Sequence, residues 1–196
     1  MSNTPVKILA FAGSTRKDSF NKKLVKVAAK AAEDAGAQVT LIDLADWSFP
    51  LYDGDLEAAS GIPEKAKTLK KMMIDHDAFL ISAPEYNSSV SGVLKNTIDW
   101  VSRPQEGEPY LVAFLGKTAA IMSASPGELG GLRGLVHLRS ILGNIHVLVL
   151  PDQISIVKAD QAFNPDGSLK DAKKQDKVND ISRKLVQTLQ KLKTPT

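Results

Sequence analysis

Short apolar segments alternate with segments of helical periodicity along most of this 196-residue chain. The apolar segments carry few polar residues at alternate positions, which is typical of β-strands covered on both faces. Strands are predicted at residues 6–12, 38–44, 78–83, 118–123 and 145–150. Helices are predicted at residues 20–35, 63–76, 93–102 and 130–143, with a last amphipathic helix around 178–192. This alternation predicts an α/β fold in which a doubly wound, five-stranded parallel sheet has helices on both faces.

No repeat or linker divides the sequence, so we expect a single domain over residues 1–196. Two long segments, 45–62 and 103–116, are predicted as loops, and loops of that length often belong to functional sites. The first seven residues lack a charged stretch followed by an apolar one. No apolar run approaches the roughly 18 residues of a membrane span. We therefore expect a cytoplasmic protein without a membrane span.

The composition excludes several kinds of chemistry. The sequence has no cysteine, which excludes disulfides, thiolate metal sites, iron–sulfur clusters and cysteine nucleophiles. The histidines at 76, 137 and 146 do not have the spacing of metal ligands, so we predict no metal site. The formal net charge is +3, and much of the surplus lies near the C-terminus. Acidic residues interrupt those lysines and no aromatic residue follows Phe163, so a solvated helix face is favoured over a nucleic-acid partner.

Two loops that follow predicted strands carry candidate binding residues. The carboxyl ends of the strands are the edge at which an open parallel sheet binds ligands. The first loop, 13–21, offers hydroxyl groups and a guanidinium just before a helix N-terminus, a combination that suits a phosphate dianion. It has neither a P-loop nor a G-x-G-x-x-G motif. The alternative interpretation is an ordinary strand–helix turn with Ser19 as the helix N-cap.

The second loop, 84–89, offers a rigid proline, an aromatic ring and several amides. Its peptide groups could border a flat heterocycle, and together with a phosphate site they indicate a mononucleotide such as a flavin. Trp100, at the end of the helix that follows, is predicted to be a core or interface residue.

These segments resemble the NADPH-dependent FMN reductase family, whose flavodoxin-like members include quinone reductases, chromate reductases and relatives of the azoreductases. Residues 13–21 match the family pattern G-S-x-R-x-x-S-x-N. Residues 84–100 match P-E-Y-N-x-S-x-x-G-x-L-K-N-x-I-D-W without a gap. A weaker match at 123–133 resembles the third ligand loop of the family. The resemblance covers roughly the first 150 residues.

The resemblance implies a flavodoxin-like strand order, 2-1-3-4-5, and non-covalent binding of one FMN. The implied phosphate contacts are Ser14, Arg16, Ser19, Phe20 and Asn21. The implied isoalloxazine and ribityl contacts are Pro84, Glu85, Tyr86 and Asn87, while Ser123 and Ser125 would approach the ring from the third loop. Asp18 stands where the family commonly has small residues, and we expect its side chain to face solvent because a carboxylate would repel a phosphate.

The function predicted from the resemblance is an FMN-containing, NAD(P)H-dependent oxidoreductase. Hydride would pass from NADPH or NADH to flavin N5 and then to quinones, chromate or similar small acceptors, so no catalytic side chain is expected. Arg16 or Lys17 is a candidate for the extra phosphate of NADPH, with FMN phosphate or solvent as the alternative. One alternative function is a non-enzymatic electron carrier of the flavodoxin type, although such carriers tend to be acidic and the isoelectric point here is about 9.0. Another is a binding module that has lost the flavin.

A homodimer or homotetramer is expected, with small-molecule electron acceptors as the other partners. The apolar residues of the helix predicted at 130–143 spread over more than half of its circumference, which exceeds what a helix lying on a sheet requires. We therefore place this helix and the one at 93–102, with Leu138 and Trp100, in a two-fold interface. One of the partner's two long loops would then wall the flavin site.

Overall fold

The computed structural model describes residues 5–193 and contains a five-stranded parallel sheet. In chain order the strands are β1 (Lys7–Ala12), β2 (Gln38–Asp43), β3 (Ala78–Ser82), a hairpin of β4 (Glu85–Tyr86) and β5 (Ser89–Val90), β6 (Thr118–Ala124) and β7 (Leu148–Ile156). The hairpin stands apart, and the main sheet has the order β2-β1-β3-β6-β7. Without the hairpin this is the 2-1-3-4-5 order, so the flavodoxin-like fold is confirmed.

Helices cover both faces of the sheet. They are α1 (Phe20–Asp34), α2 (Gly54–Ser60), α3 (Glu64–Ile74), α4 (Gly92–Val101), α5 (Leu132–Asn144) and α6 (Ala172–Lys193). Successive strand residues point to opposite faces, so Ile8 of β1 packs with α1 and α6, whereas Leu9 packs with α3, α4 and α5. Among the described residues, no helix is both long and apolar enough to cross a bilayer.

Three parts of the fold differ from the sequence-based expectation, and the first is the β4–β5 hairpin, which forms in the segment predicted as a loop over 84–89. The segment predicted as a loop over 45–62 contains α2, whose N-cap Asp53 accepts hydrogen bonds from two backbone N–H groups of the first turn. The last strand, predicted at 145–150, lies later in the chain because residues 145–147 form the turn after α5. β7 continues past Pro151 through polar residues, with a register irregularity opposite β6. An edge strand tolerates a proline and polar side chains that a central strand would not.

Trp100 and Leu138 belong to the core of the chain itself, which confirms the core alternative for Trp100 and contradicts the predicted place of Leu138 in a two-fold interface. Both are 0% exposed. The Trp100 ring packs edge-on against Tyr52, with centroids 5.1 Å apart, and Trp100 Nε1 donates a hydrogen bond to the carbonyl of Pro50 at 2.8 Å. The segment predicted as a loop thus covers Trp100. Sequence periodicity cannot distinguish an apolar residue covered by its own chain from one covered by a partner.

Candidate functional site

Two continuous clefts lie at the carboxyl edge of the sheet. The first cleft is lined by Ser14, Arg16, Ser19, Phe20, Asn21, Pro84, Glu85, Tyr86, Ala124, Ser125 and Pro126. The second cleft shares Glu85 and Ser125 with the first and is otherwise lined by Asn87, Ser88, residues 127–131 and Arg133. Ten of the eleven residues proposed from the sequence therefore line the two clefts. The exception is Ser123.

The first loop has the geometry of an anion site. Ser19 is the N-cap of α1, and its Oγ accepts a hydrogen bond from the Lys22 N–H at 3.4 Å. Within residues 5–193, no group accepts a hydrogen bond from the backbone N–H groups of Ser19, Phe20 or Asn21, and all three residues line the first cleft. Such N–H groups beside a helix N-terminus are suited to bind a phosphate. The N-cap interpretation and the phosphate interpretation of this loop are thus compatible.

The side chains of the first loop support the same interpretation. The guanidinium carbon of Arg16 lies 5.7 Å from the centroid of the Phe20 ring, and Arg16 Nη2 donates to the carbonyl of Asp18 at 3.1 Å. Ser14 is buried, and its Oγ accepts from the Arg16 N–H at 3.2 Å. Asp18 itself is exposed and lines neither cleft. The loop therefore presents a cation and hydroxyl groups to the first cleft.

The β4–β5 hairpin forms the wall shared by the clefts. Pro84 is buried where the chain leaves β3. The two turn residues, Asn87 and Ser88, have φ values of +49° and +67°, which is the left-handed conformation of a type I′ hairpin turn. Tyr86 is 55% exposed. Glu85 and Tyr86 line the first cleft, and Glu85, Asn87 and Ser88 line the second, so the hairpin borders both clefts.

Glu85 fixes the hairpin to the N-terminus of α5. One carboxylate oxygen, Oε2, accepts hydrogen bonds from the N–H groups of Arg133 at 3.0 Å and Gly134 at 3.1 Å. The other, Oε1, is 2.8 Å from Arg133 Nε and 2.6 Å from Arg133 Nη2. Burial opposes the charge, but the Gly134 N–H and the Arg133 guanidinium outweigh it, so the pKa of Glu85 lies below its usual value. The carboxylate is therefore ionised at neutral pH, and its hydrogen bonds are made with the first turn of α5.

The third loop connects β6 to α5, and it separates the two serines proposed from the sequence. Ser125 lines both clefts. Ser123 is 0% exposed and lies beneath the loop, where its Oγ donates to the carbonyl of Gly130 at 2.7 Å. A Cβ at Gly131 would approach Ser123 Cβ to 2.8 Å, so the loop packs directly on Ser123. The structure does not bring the Ser123 side chain to the clefts.

Two residues of the first cleft, Ala124 and Pro126, were missed by the sequence analysis. Both lie at the end of β6 or directly after it. Their position at the carboxyl edge is the signal that could have identified them, since all parallel strands end at this edge.

The residues present fit FMN. The first cleft offers unpartnered N–H groups, hydroxyls and a guanidinium for a phosphate, and the second offers a polar space bordered by the hairpin and a glycine-rich loop. Both lie at the edge where the flavodoxin-like strand order places a mononucleotide. Fold and site together define a flavodoxin-like protein with a mononucleotide site.

Comparison with known proteins identifies the family. The family model for NADPH-dependent FMN reductase matches residues 6–161. The chain is 37% identical over 187 residues to an NAD(P)H-dependent FMN reductase of Pseudomonas aeruginosa, with 94% of each chain covered. It is 33% identical over 184 residues to a 2-hydroxy-1,4-benzoquinone reductase of a Burkholderia species, covering 93% of this chain and 91% of the relative.

A solved structure shows the same relationship. FerB, a flavoenzyme NAD(P)H:(acceptor) oxidoreductase from Paracoccus denitrificans, superposes with a TM-score of 0.78 at 32% identity, covering 95% of this chain and 98% of FerB. The chain therefore belongs to the NADPH-dependent FMN reductase family. It is an NAD(P)H-dependent oxidoreductase that uses FMN, as the sequence predicts.

Proposed function

We propose that the enzyme passes electrons from NAD(P)H through FMN to quinones. The observation that supports this most directly is the second cleft, which is continuous with the phosphate-binding end and open to solvent beside the hairpin. Relatives that cover most of the chain are named quinone reductases, including the Burkholderia 2-hydroxy-1,4-benzoquinone reductase. Bound FMN would supply the hydride chemistry, taking hydride from NAD(P)H and giving it to the quinone.

The residues of the chain bind and orient in this proposal. Ser14, Arg16, Ser19 and the N–H groups around Phe20 hold the phosphate. Asn21 lines the same cleft. The phosphate contacts fix the cofactor at one end because charge-assisted hydrogen bonds are both strong and directional.

At the ring end, Pro84, Glu85, Tyr86 and Asn87 contribute mainly through peptide groups. The Glu85 side chain is engaged with Arg133 and Gly134, so it is not free to donate a proton to an acceptor at neutral pH. Ser125 borders the ring space from the third loop. We assign no side chain of either cleft as a general acid or base.

Anaerobic steady-state kinetics test this proposal. The holoenzyme is assayed with NADPH and with NADH against a benzoquinone, and chromate and an azo dye serve as comparison acceptors. Quinone reduction without a partner reductase is expected, at a rate far above that of an equal concentration of free FMN. A requirement for a separate reductase would indicate an electron carrier, and preference for chromate or the dye would assign another acceptor.

We also propose that the enzyme functions as a homodimer or a larger homo-oligomer in the cytoplasm. Three large apolar residues at the start of α5 and just before it are exposed: Leu129 by 47%, Leu132 by 44% and Val136 by 60%. Leu129 also lines the second cleft, so a partner that covers this surface would narrow the entrance of the cleft. Light scattering of Val136→Glu tests this surface, with Gln187→Glu as the control, because Gln187 is exposed on α6, which covers the opposite face of the sheet. A dimer that survives Val136→Glu uses another surface.

A further inference from the structure

The carboxyl end of β6 extends past that of β3, so Ala124 of β6 pairs with Ile156 of β7 on one side but has no strand partner on the side of β3. The last register pair of the two strands is Ser82 with Met122, and the Ala83 N–H then donates to the Met122 carbonyl at 2.8 Å. The next residue, Pro84, leads into the hairpin, so β3 does not continue beside Ala124. Ala124 is only 3% exposed, so its N–H and carbonyl groups require another partner.

The side chain of Asn21, in the first turn of α1, is the partner of both groups. Asn21 Oδ1 accepts from the Ala124 N–H at 2.9 Å, and Asn21 Nδ2 donates to the Ala124 carbonyl at 2.8 Å. Oδ1 also accepts from the Ser82 hydroxyl at 2.8 Å. Three of the four hydrogen-bonding positions of this carboxamide are thus committed inside the protein. One N–H of Nδ2 is all that remains for a phosphate.

These hydrogen bonds among Asn21, Ser82 and Ala124 form a junction, and Ser82 also connects this junction to the first loop. The carbonyl of Ser82 accepts a hydrogen bond from the Gly13 N–H at 2.9 Å. On its other side, the carbonyl of Gly13 accepts from the hydroxyl of Ser91, the N-cap of α4, at 2.5 Å. The first loop begins at Gly13, the hairpin segment follows Ser82, and the third loop follows Ala124. Hydrogen bonds therefore connect the residues from which all three cleft-lining loops start.

We propose that Asn21 is a positioning residue that fixes the spacing of the three flavin-binding loops, and that it supports FMN binding through this junction rather than by contact with the phosphate. The proposal rests on the assignment of these loops as the flavin site. The proposal predicts how the affinities for FMN and for riboflavin change relative to each other. Loss of a phosphate contact weakens FMN and spares riboflavin, whereas loss of loop spacing weakens both.

The test compares Asn21→Ala with Ser82→Ala. Ser82 is 0% exposed and lines neither cleft, so an effect of its hydroxyl on flavin must pass through the junction. The full chain is titrated with FMN and with riboflavin by flavin fluorescence, well below the melting temperature of each variant. From the usual strength of buried hydrogen bonds, we expect Asn21→Ala to weaken both ligands about 10- to 100-fold and Ser82→Ala about 3- to 10-fold. The ratio of FMN to riboflavin affinity should stay within about twofold of wild type, because neither change removes a phosphate contact.

The double variant should bind no more weakly than Asn21→Ala alone, because both changes break one network. Ser182→Ala is the matched control, since Ser182 is also 0% exposed and its hydroxyl donates only to the Val178 carbonyl within α6. It should leave the affinity for both flavins unchanged, because this hydrogen bond has no link to the flavin-binding loops. If Asn21→Ala does not fold, Ser82→Ala decides the result.

Two results would overturn the proposal. A loss of FMN affinity that spares riboflavin makes Asn21 a phosphate ligand. Unchanged affinity for both flavins, with only a lower melting temperature, makes the junction purely structural. The underlying site assignment fails separately, if Arg16→Ala and Ser19→Ala leave FMN binding intact.

Discussion

The first loop and the β4–β5 hairpin line the same cleft, but they are held in place in different ways. The first loop is anchored at its two ends, by the Gly13 N–H and by the Asn21 side chain, and between them backbone N–H groups, hydroxyls and Arg16 line the cleft. The hairpin is braced from outside by α5. Glu85 binds the first turn of that helix, and Ser89 Oγ lies 2.9 Å from His137 Nδ1. The loop therefore directs its polar groups to the ligand, whereas the hairpin uses its side chains to hold its own backbone.

Because of this difference, we expect substitutions in the two regions to affect ligand binding and the free energy of unfolding differently. Loss of the Arg16 or Ser19 side chain should weaken FMN and change riboflavin affinity little, whereas loss of Asn21, at the end of the same loop, should weaken both. Substitutions in the hairpin should change stability first and flavin binding only as a consequence, without discriminating FMN from riboflavin. The predictions below test that separation.

The largest effect is expected for Glu85→Gln. The Glu85 side chain is only 8% exposed, and hydrogen bonds to a buried charged group contribute about 1.5–3 kcal/mol each. Because glutamine keeps one acceptor oxygen and loses the charge, we expect the free energy of unfolding to fall by about 2–3 kcal/mol. Urea denaturation measures this, and FMN and riboflavin should weaken together.

Arg133→Ala is the control for Glu85→Gln. The Arg133 side chain is 57% exposed, and the backbone N–H groups remain to bind Glu85. Its loss should cost less than about 1 kcal/mol, as for other solvent-exposed ion pairs. Equal losses in the two variants would show that the ion pair, and not the buried carboxylate with its N–H donors, holds the hairpin.

In the first loop, Arg16→Ala and Ser19→Ala should each weaken FMN by about tenfold or more, because each removes a charge-assisted hydrogen bond to the phosphate. Riboflavin affinity should change little. Lys17→Ala is the matched control, since Lys17 belongs to the same loop but lines neither cleft. Equal losses for FMN and riboflavin would show that Arg16 and Ser19 only shape the turn.

A smaller effect is expected from pH. The pKa of Glu85 is lowered in the folded protein, so its stabilising contribution is present above the pKa of an unfolded glutamate, about 4.3, and is lost as the pH falls below it. The stability difference between wild type and Glu85→Gln should therefore shrink between about pH 5 and pH 3. Urea denaturation of both proteins across this range measures it. A difference that stays constant would mean that the charge of Glu85 does not stabilise the hairpin.

The sequence predicts the fold and the location of the site better than the roles of individual residues. Apolar strands and helical periodicity are local signals, and strand ends at one edge bring 13–21, 84–87 and Ser125 together. The role of Asn21 was not visible, because its partners lie 61 and 103 residues away. The burial of Ser123 depends on how the third loop packs. No residue near α2 or the hairpin turn gave a strong local signal for either element.

The hairpin turn provides the smallest predicted effect, in Ser88→Gly. Ser88 has a φ of +67°, and a left-handed conformation costs an L-residue roughly 1–2 kcal/mol. Glycine removes this strain but costs about 0.5–1 kcal/mol in backbone entropy on folding, so a net gain of about 0.5 kcal/mol is expected. Urea denaturation should show Ser88→Gly slightly above wild type and the control Ser89→Gly below it, because Ser89 lies in β5 and its hydroxyl is paired with His137. FMN affinity should stay within about twofold, since no hydrogen bond of the Ser88 side chain is lost. Weaker FMN binding by Ser88→Gly would show that this side chain contacts the ligand and that the hairpin does not act through its backbone alone.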